Sequence, residues 1–121
     1  MRVEDHLRKL QAMESTMKKL EGETDYEAIV ELCVLISSHY LNAALHKLGV
    51  TPQDRDVKHN RLAGEIRRRR VKELQGALDA IDGLEQLRPR HVYGRGGDGE
   101  VAGRAMAWLG EVRKACSRVL G

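Results

Sequence analysis

The chain has 121 residues, a length that suits one domain able to bury a core without disulfides or a metal. It contains no Phe and a single Trp, and its apolar residues are mostly Leu, Val, Ala, Ile and Met, which favours helix packing over a β-sandwich built on aromatic and β-branched alternation. A net charge of +3 with 32% charged residues is too balanced for a histone-like polycation, yet compatible with an anionic partner held locally.

Val3, Leu7, Leu10, Met13, Met17 and Leu20 recur at three- and four-residue steps, which gathers them on one stripe of a first helix ending near Gly22. That stripe either packs on the core or forms part of a subunit seam. Residues 1–10 alternate charge with apolar residues and hold no apolar run of the secretory kind. Thr24-Asp25-Tyr26-Glu27 has capping-box spacing, so a second helix is expected to start there and to run to Leu48, where Gly49 can take the left-handed conformation that stops it. Thr51-Pro52 then opens a turn or a short helical piece. Ile29, Val30, Leu32, Cys33, Val34, Leu35 and Ile36 leave almost no polar side on this helix, which makes it the central, most buried element. Its second half turns a polar edge bearing His39, Asn42 and His46. Because Glu31 interrupts the apolar run and Ser37, Ser38 and His39 follow it, no membrane span is expected, and a cytoplasmic location is. Cys33 and Cys116 each sit on an apolar stripe, so two buried thiols in a reducing compartment are favoured over a disulfide.

From Lys58 onward the pattern is helical through Leu62 and Ile66, then through Val71, Leu74, Leu78, Ile81, Leu84 and Leu87. Gly64, Gly76 and Gly83 weaken it, which predicts a bend near the Arg67 to Arg70 run or very close helix packing at the glycines. Pro89 disfavours helix at Arg88 and is expected to end the element. After a loop at residues 94–99, Val101, Ala105, Leu109, Val112, Cys116 and Val119 form the stripe of a last helix. No internal repeat or strand-like alternation is evident. The expected fold is an all-α, four- to five-helix up-and-down bundle in one domain, 1–121, with residues 1–22 as an N-terminal amphipathic helix.

Several residue groups could carry chemistry. Arg88, Arg90, His91, Tyr93 and Arg95 fall within one short stretch; the cations suit phosphate oxygens, His91 can exchange a proton, and the phenol can stack on a base. The alternative is helix-end chemistry, in which the cations favour the carbonyl end of the dipole and Tyr93 packs on the core. Arg67, Arg68, Arg69 and Arg70, followed by Lys72, form the most basic run. On a helix they point around most of the circumference and cannot all meet one ligand, so they read as a solvated face paired with Glu65 and Glu73, or else as an RNA-backbone surface. Lys58 and His59 suit either a helix-start contact or a ligand role. His39 and His46 are seven residues apart, and metal ligation would need closer spacing or a third ligand; no metal and no cofactor are expected. Gly94, Gly96 and Gly99 fit the letters of a dinucleotide-binding motif, but no preceding parallel strand is present to make it one.

Tyr40-Leu41-Asn42-Ala43-Ala44 before Gly49, Asp56-Val57-Lys58-His59 with Leu62 and Ile66, and Leu87-Arg88-Pro89-Arg90-His91-Val92-Tyr93-Gly94 leading into a further helix together resemble the HEPN superfamily of small helical proteins, over roughly residues 24–119. The resemblance implies a helical bundle, commonly a homodimer with an interfacial cleft, that binds a nucleotide or RNA or partners a nucleotidyltransferase. Many such proteins are metal-free ribonucleases that use an Arg and a His four to six residues apart. Here Arg88 and His91 have two residues between them, and Arg55 and His59 have three, so neither pair has that spacing. His91-Val92-Tyr93 does match the His-x-Tyr ending frequent in the family. The expectation is therefore a nucleotide- or RNA-binding module without the usual ribonuclease motif, with a noncatalytic partner subunit as the second reading. In the third reading, a ribonuclease, His91 and Arg88 carry the reaction.

Overall fold

A computed structural model describes the chain except for Glu23 and residues 93–98, and gives only the backbone of residues 88–92 and 99. Five α-helices, with no strand among the described residues, make an all-α bundle: α1 (Val3–Met17), α2 (Tyr26–Lys47), α3 (Leu62–Arg68), α4 (Leu78–Val92) and α5 (Gly99–Leu120). Short 3-10 turns at His59–Arg61 and Lys72–Ala77 lead into α3 and α4.

Helix α2 is the centre, packed by α1, α4 and α5. Its apolar residues face every direction, so neighbours on several sides are needed to bury them. By length and composition alone it is also apolar enough to cross a membrane, which corrects the expectation that no segment comes near a span; in the bundle most of that surface is covered by protein. One end of the core gathers Leu10 and Met17 of α1, Ile29, Val30, Cys33 and Ile36 of α2, Leu84 and Leu87 of α4, and Leu109 of α5. The other end joins Leu41 and Leu45 to Leu62, Ile66, Leu74, Ile81, Val112 and Cys116. Tyr40 and Trp108 pack against both. Leu10, Met13, Met17 and Leu20 of the α1 stripe thus lie on the core while Leu7 is exposed, and Arg113 of α5 reaches Glu14 of α1 at 2.7 Å to close the same side. Cys33 and Cys116 are free and buried, and burial pushes both thiols up to about 12.

The helix ends show where local chemistry decides. At the end of α2, Gly49 has φ +73°, its amide donates to the His46 carbonyl, and Val50 N donates back to Leu45 O at 2.9 Å. This is the Schellman closure that glycine permits without a Cβ clash. The end of α3 repeats it with an arginine in the left-handed position. Arg70 has φ 51°, Arg70 N donates to Arg67 O, and Val71 N donates to Ile66 O at 3.1 Å. The expected bend is therefore a full helix stop, held by Val71 and Ile66 both being buried.

Two expectations are corrected. The capping box does not form: Asp25 is the N-cap of α2, without a side-chain cap bond, and its carboxylate instead accepts the Glu21 amide at 2.8 Å, closing the turn between α1 and α2. Nor does Pro89 end α4, which continues to Val92. A proline so near the last turn forfeits one backbone hydrogen bond, and the helix is already nucleated by the eleven residues before it. The close packing expected at a glycine occurs at Gly83, where a Cβ would stand 2.6 Å from the Trp108 ring.

Two substitutions separate these effects. Arg70→Gly removes the left-handed penalty and should raise stability by about 1 kcal/mol, whereas Gly83→Ala forces Trp108 aside and should lower it by about 1–3 kcal/mol. Urea denaturation midpoints of the two variants, moving in opposite directions from the unaltered protein, would bear this out.

Candidate functional site

His39, Asn42 and His46 lie three and four residues apart and so share one face of α2. Asn42 turns that face into a clamp for the segment before α3. Its Nδ2 donates to the Val57 carbonyl at 3.0 Å and its Oδ1 accepts the Val57 amide at 2.7 Å, which satisfies both backbone groups of one loop residue. Asp56, the neighbour of the clamped residue, is thereby set against His46. Helix α1 adds His6, which sits among its apolar positions and is 1% exposed.

One carboxylate oxygen then collects three donors. Asp56 Oδ1 lies 2.8 Å from His46 Nε2, 2.9 Å from His6 Nε2 and 3.2 Å from the Met1 nitrogen. Beyond it, His6 Nδ1 meets His39 Nδ1 at 2.8 Å, and His46 Nδ1 meets the Thr51 hydroxyl at 2.7 Å. A single proton assignment with neutral rings satisfies each of these contacts, and leaves only the Thr51 carbonyl, 3.3 Å from His46 Nδ1, without a donor from that ring. His6 and His46 donate from Nε2 to Asp56, His39 donates from Nδ1 to His6, and Thr51 donates its hydroxyl to His46.

The titration behaviour follows the same geometry. Burial lowers His6, against the opposing pull of Asp56. Burial also lowers His39, helped by the neighbouring His6 and Lys9. For Asp56, partial burial pushes upward, but the hydrogen bonds from His46, His6 and the Met1 nitrogen outweigh it and hold the carboxyl at about 2.

Asp56 is also part of the wall of a cavity of about 300 Å³ between the 51–61 segment and α3. Arg55, Lys58, Arg61 and Arg69 line it together with two carboxylates, Asp56 and Glu65. Both acids are already engaged: Asp56 by the imidazoles, Glu65 by Arg68 at 2.7 Å and Arg69 at 2.8 Å. The side chains of Arg55, Lys58 and Arg61 have no ion-pair partner among the described residues.

The residues singled out from sequence divide accordingly. Lys58 lines the cavity, while His59 turns away to Glu85 of α4 at 2.7 Å, a contact between elements rather than the local helix-start contact expected of it. The arginine run splits as its helical spread requires: Arg67 pairs with Asp82, Arg68 and Arg69 share Glu65, and Arg70 makes the turn. Pairing with Glu65 is as expected; the other acid is Asp82 rather than Glu73. The side chains of Arg88, Arg90 and His91, and all of Tyr93 and Arg95, lie outside the described residues. Missing from the sequence reading as site residues were His6, Asp56, Arg55 and Arg61. His6 had one legible signal, an ionisable ring at the spacing of an apolar stripe. The groups that join His46 come from α1, as His6, and from the 51–61 segment, as Asp56, while His39 stands outside that set. Compared with protein-family models, curated proteins and solved structures, the chain matches none.

The network makes stability depend on pH with a definite sign. His6 and His39 titrate below their ordinary 6.5, so on acidification the unfolded chain takes up protons first, and stability present above 6.5 is lost as pH falls through that value toward the lowered ones. Asp56 adds a second loss in the same direction between 3.8 and about 2. Denaturant midpoints of chelator-treated protein should therefore fall from about pH 7.5 to about pH 5; a flat profile across that range contradicts the assignment of neutral rings.

Proposed function

We propose that the protein is a HEPN-like helical module that binds a phosphate-bearing ligand, a nucleotide or a stretch of RNA backbone, in the cavity lined by Arg55, Lys58, Arg61 and Arg69. The observation that carries this reading is the charge balance of that recess: four cations against two carboxylates, both carboxylates already occupied by other partners. Three uncommitted cations held on one short segment leave a positive potential that a phosphate relieves. Arginine offers paired N–H groups to the non-bridging oxygens, and lysine offers a point charge, a combination suited to backbone contact rather than to reading bases. Among the described residues, Val57 and Pro52 supply the apolar surface beside them and no aromatic ring lines the recess, so this mode is built on backbone contact rather than base stacking.

The reading also agrees with where the family resemblance falls, since Asp56-Val57-Lys58-His59 is one of its three segments. It moves the weight of the site from residues 88–95 to residues 55–69. Binding rather than cleavage is the activity proposed. His59, the ring nearest in sequence to the cations, is engaged with Glu85, and His6 and His46 are engaged with Asp56.

Fluorescence anisotropy with a labelled RNA oligonucleotide, and calorimetry with ATP, at two salt concentrations test this. Affinity should fall with salt, with a log–log slope of about −0.7 for each phosphate contacted on a single strand. The combined Arg55→Ala, Lys58→Ala, Arg61→Ala variant should bind at least about tenfold more weakly and with a shallower slope. Unchanged binding in that variant, with loss in Arg88→Ala, His91→Ala protein, would move the site to the 88–95 stretch and overturn the cavity reading.

A further inference from the structure

We propose that His6, His46 and Asp56 form a binding site for a divalent transition-metal ion of the zinc class, with an open coordination position toward solvent. The proposal stands apart from the phosphate reading and does not depend on it. Three observations carry it: the donor set, the distances, and the partners of the remaining ring nitrogens.

Two imidazoles and a carboxylate are the protein ligands that zinc takes when a fourth position is left for water or substrate. The three ligand atoms, His6 Nε2, His46 Nε2 and an Asp56 oxygen, all lie within 4.8 Å of one another. Metal bonds of about 2.0–2.2 Å in tetrahedral geometry place ligand atoms about 3.3 Å apart. The two nitrogen–oxygen separations here are 2.9 and 2.8 Å, so about half an ångström of opening admits the ion. The carboxylate can give that movement. Asp56 is 36% exposed and lies in the segment between helices, while His6 and His46 are held in the bundle. The exposed side of Asp56 is also the entry path, through the wall of the cavity it lines.

The partners of the two Nδ1 atoms distinguish this arrangement from a chance meeting of ligand types. A ring that binds metal through Nε2 must carry its proton on Nδ1, and it needs an acceptor there to fix that tautomer. His46 Nδ1 has the Thr51 hydroxyl at 2.7 Å and the Thr51 carbonyl at 3.3 Å. His6 Nδ1 has His39 Nδ1 at 2.8 Å. Without metal, His6 and His46 carry their protons on Nε2 and give them to Asp56. With metal, each carries its proton on Nδ1; His46 gives it to Thr51, and His6 gives it to His39, whose own proton moves to Nε2. No ring gains or loses a proton overall. In both states each nitrogen of the two buried rings has a partner, Asp56 or the ion at Nε2 and His39 or Thr51 at Nδ1, so metal entry leaves no buried ring nitrogen unpaired. His39 is accordingly a supporting residue rather than a ligand.

The test begins with protein dialysed against chelator and titrated with zinc ion by calorimetry, alongside cobalt(II) titration read by visible absorption. One equivalent of zinc should bind per chain, and cobalt should give the strong d–d band of a four-coordinate ion with nitrogen and oxygen donors. Asp56→Asn and His46→Gln should each abolish the one-equivalent site, and Thr51→Val, which removes only a supporting hydroxyl, should weaken it about 10- to 100-fold. Since the histidine variant can fail for want of folding, the unaltered protein supplies a second readout. Long-range proton–nitrogen NMR should show His6 and His46 as Nε2–H rings without zinc and as Nδ1–H rings with it. No saturable binding, binding that survives Asp56→Asn, or rings that keep their Nε2 protons in the presence of zinc would each overturn the proposal.

Discussion

The arrangement depends most on a single carboxylate oxygen. Asp56 Oδ1 accepts from His6 of α1 and from His46 of α2, and so joins two helices and the long connection before α3 at one atom. Burying the His6 and His46 imidazoles would cost stability if any ring nitrogen that needs a partner lacked one, and an ionised carboxylate beside them removes most of that cost. The Asn42 clamp on Val57 makes the contact reproducible, because it fixes the backbone on which Asp56 stands. Arg55, Lys58 and Arg61 stand on the same segment, which forms one wall of the recess.

The same wall separates two kinds of charge. On its inner side, burial above all keeps His6 and His39 titrating below ordinary histidine, against the pull of Asp56. On its outer side, three cations face a recess whose carboxylates are already in use. Asp56 belongs to both sides, and a charge brought to one is felt at the other over a distance well within a Debye length. The two binding proposals thus share a residue while resting on different atoms: one on the guanidinium and ammonium groups, the other on the imidazole nitrogens.

Legibility from sequence followed the range of the forces involved. Gly49 was readable as a helix stop, since the left-handed turn needs a residue without a Cβ and the requirement is local. The stripe of Leu10 and Met17 and the apolar stretch of α2 were readable because burial must recur at helical period. Gly83 was readable only as an alternative between bend and close approach, and Trp108, distant in sequence, decided it. The Thr24 spacing misled because Asp25 and Glu21 found each other first. Pro89 misled because its local cost is small beside a helix already formed. Arg70 carried no signal at all: nothing about an arginine announces a positive φ, and only the burial of Val71 against Ile66 compels it.

What the sequence determined by itself was therefore the helical class, the central place of the second helix and the division of the arginine run, all consequences of side-chain periodicity along single elements. What only the tertiary structure decided was the meeting of His6, His39, His46 and Asp56, and the gathering of Arg55, Lys58, Arg61 and Arg69 around one recess. His6 and Asp56 are fifty residues apart and lie on elements with no shared period. Their contact is set by how α1 lies across α2, which is a property of the packed core as a whole.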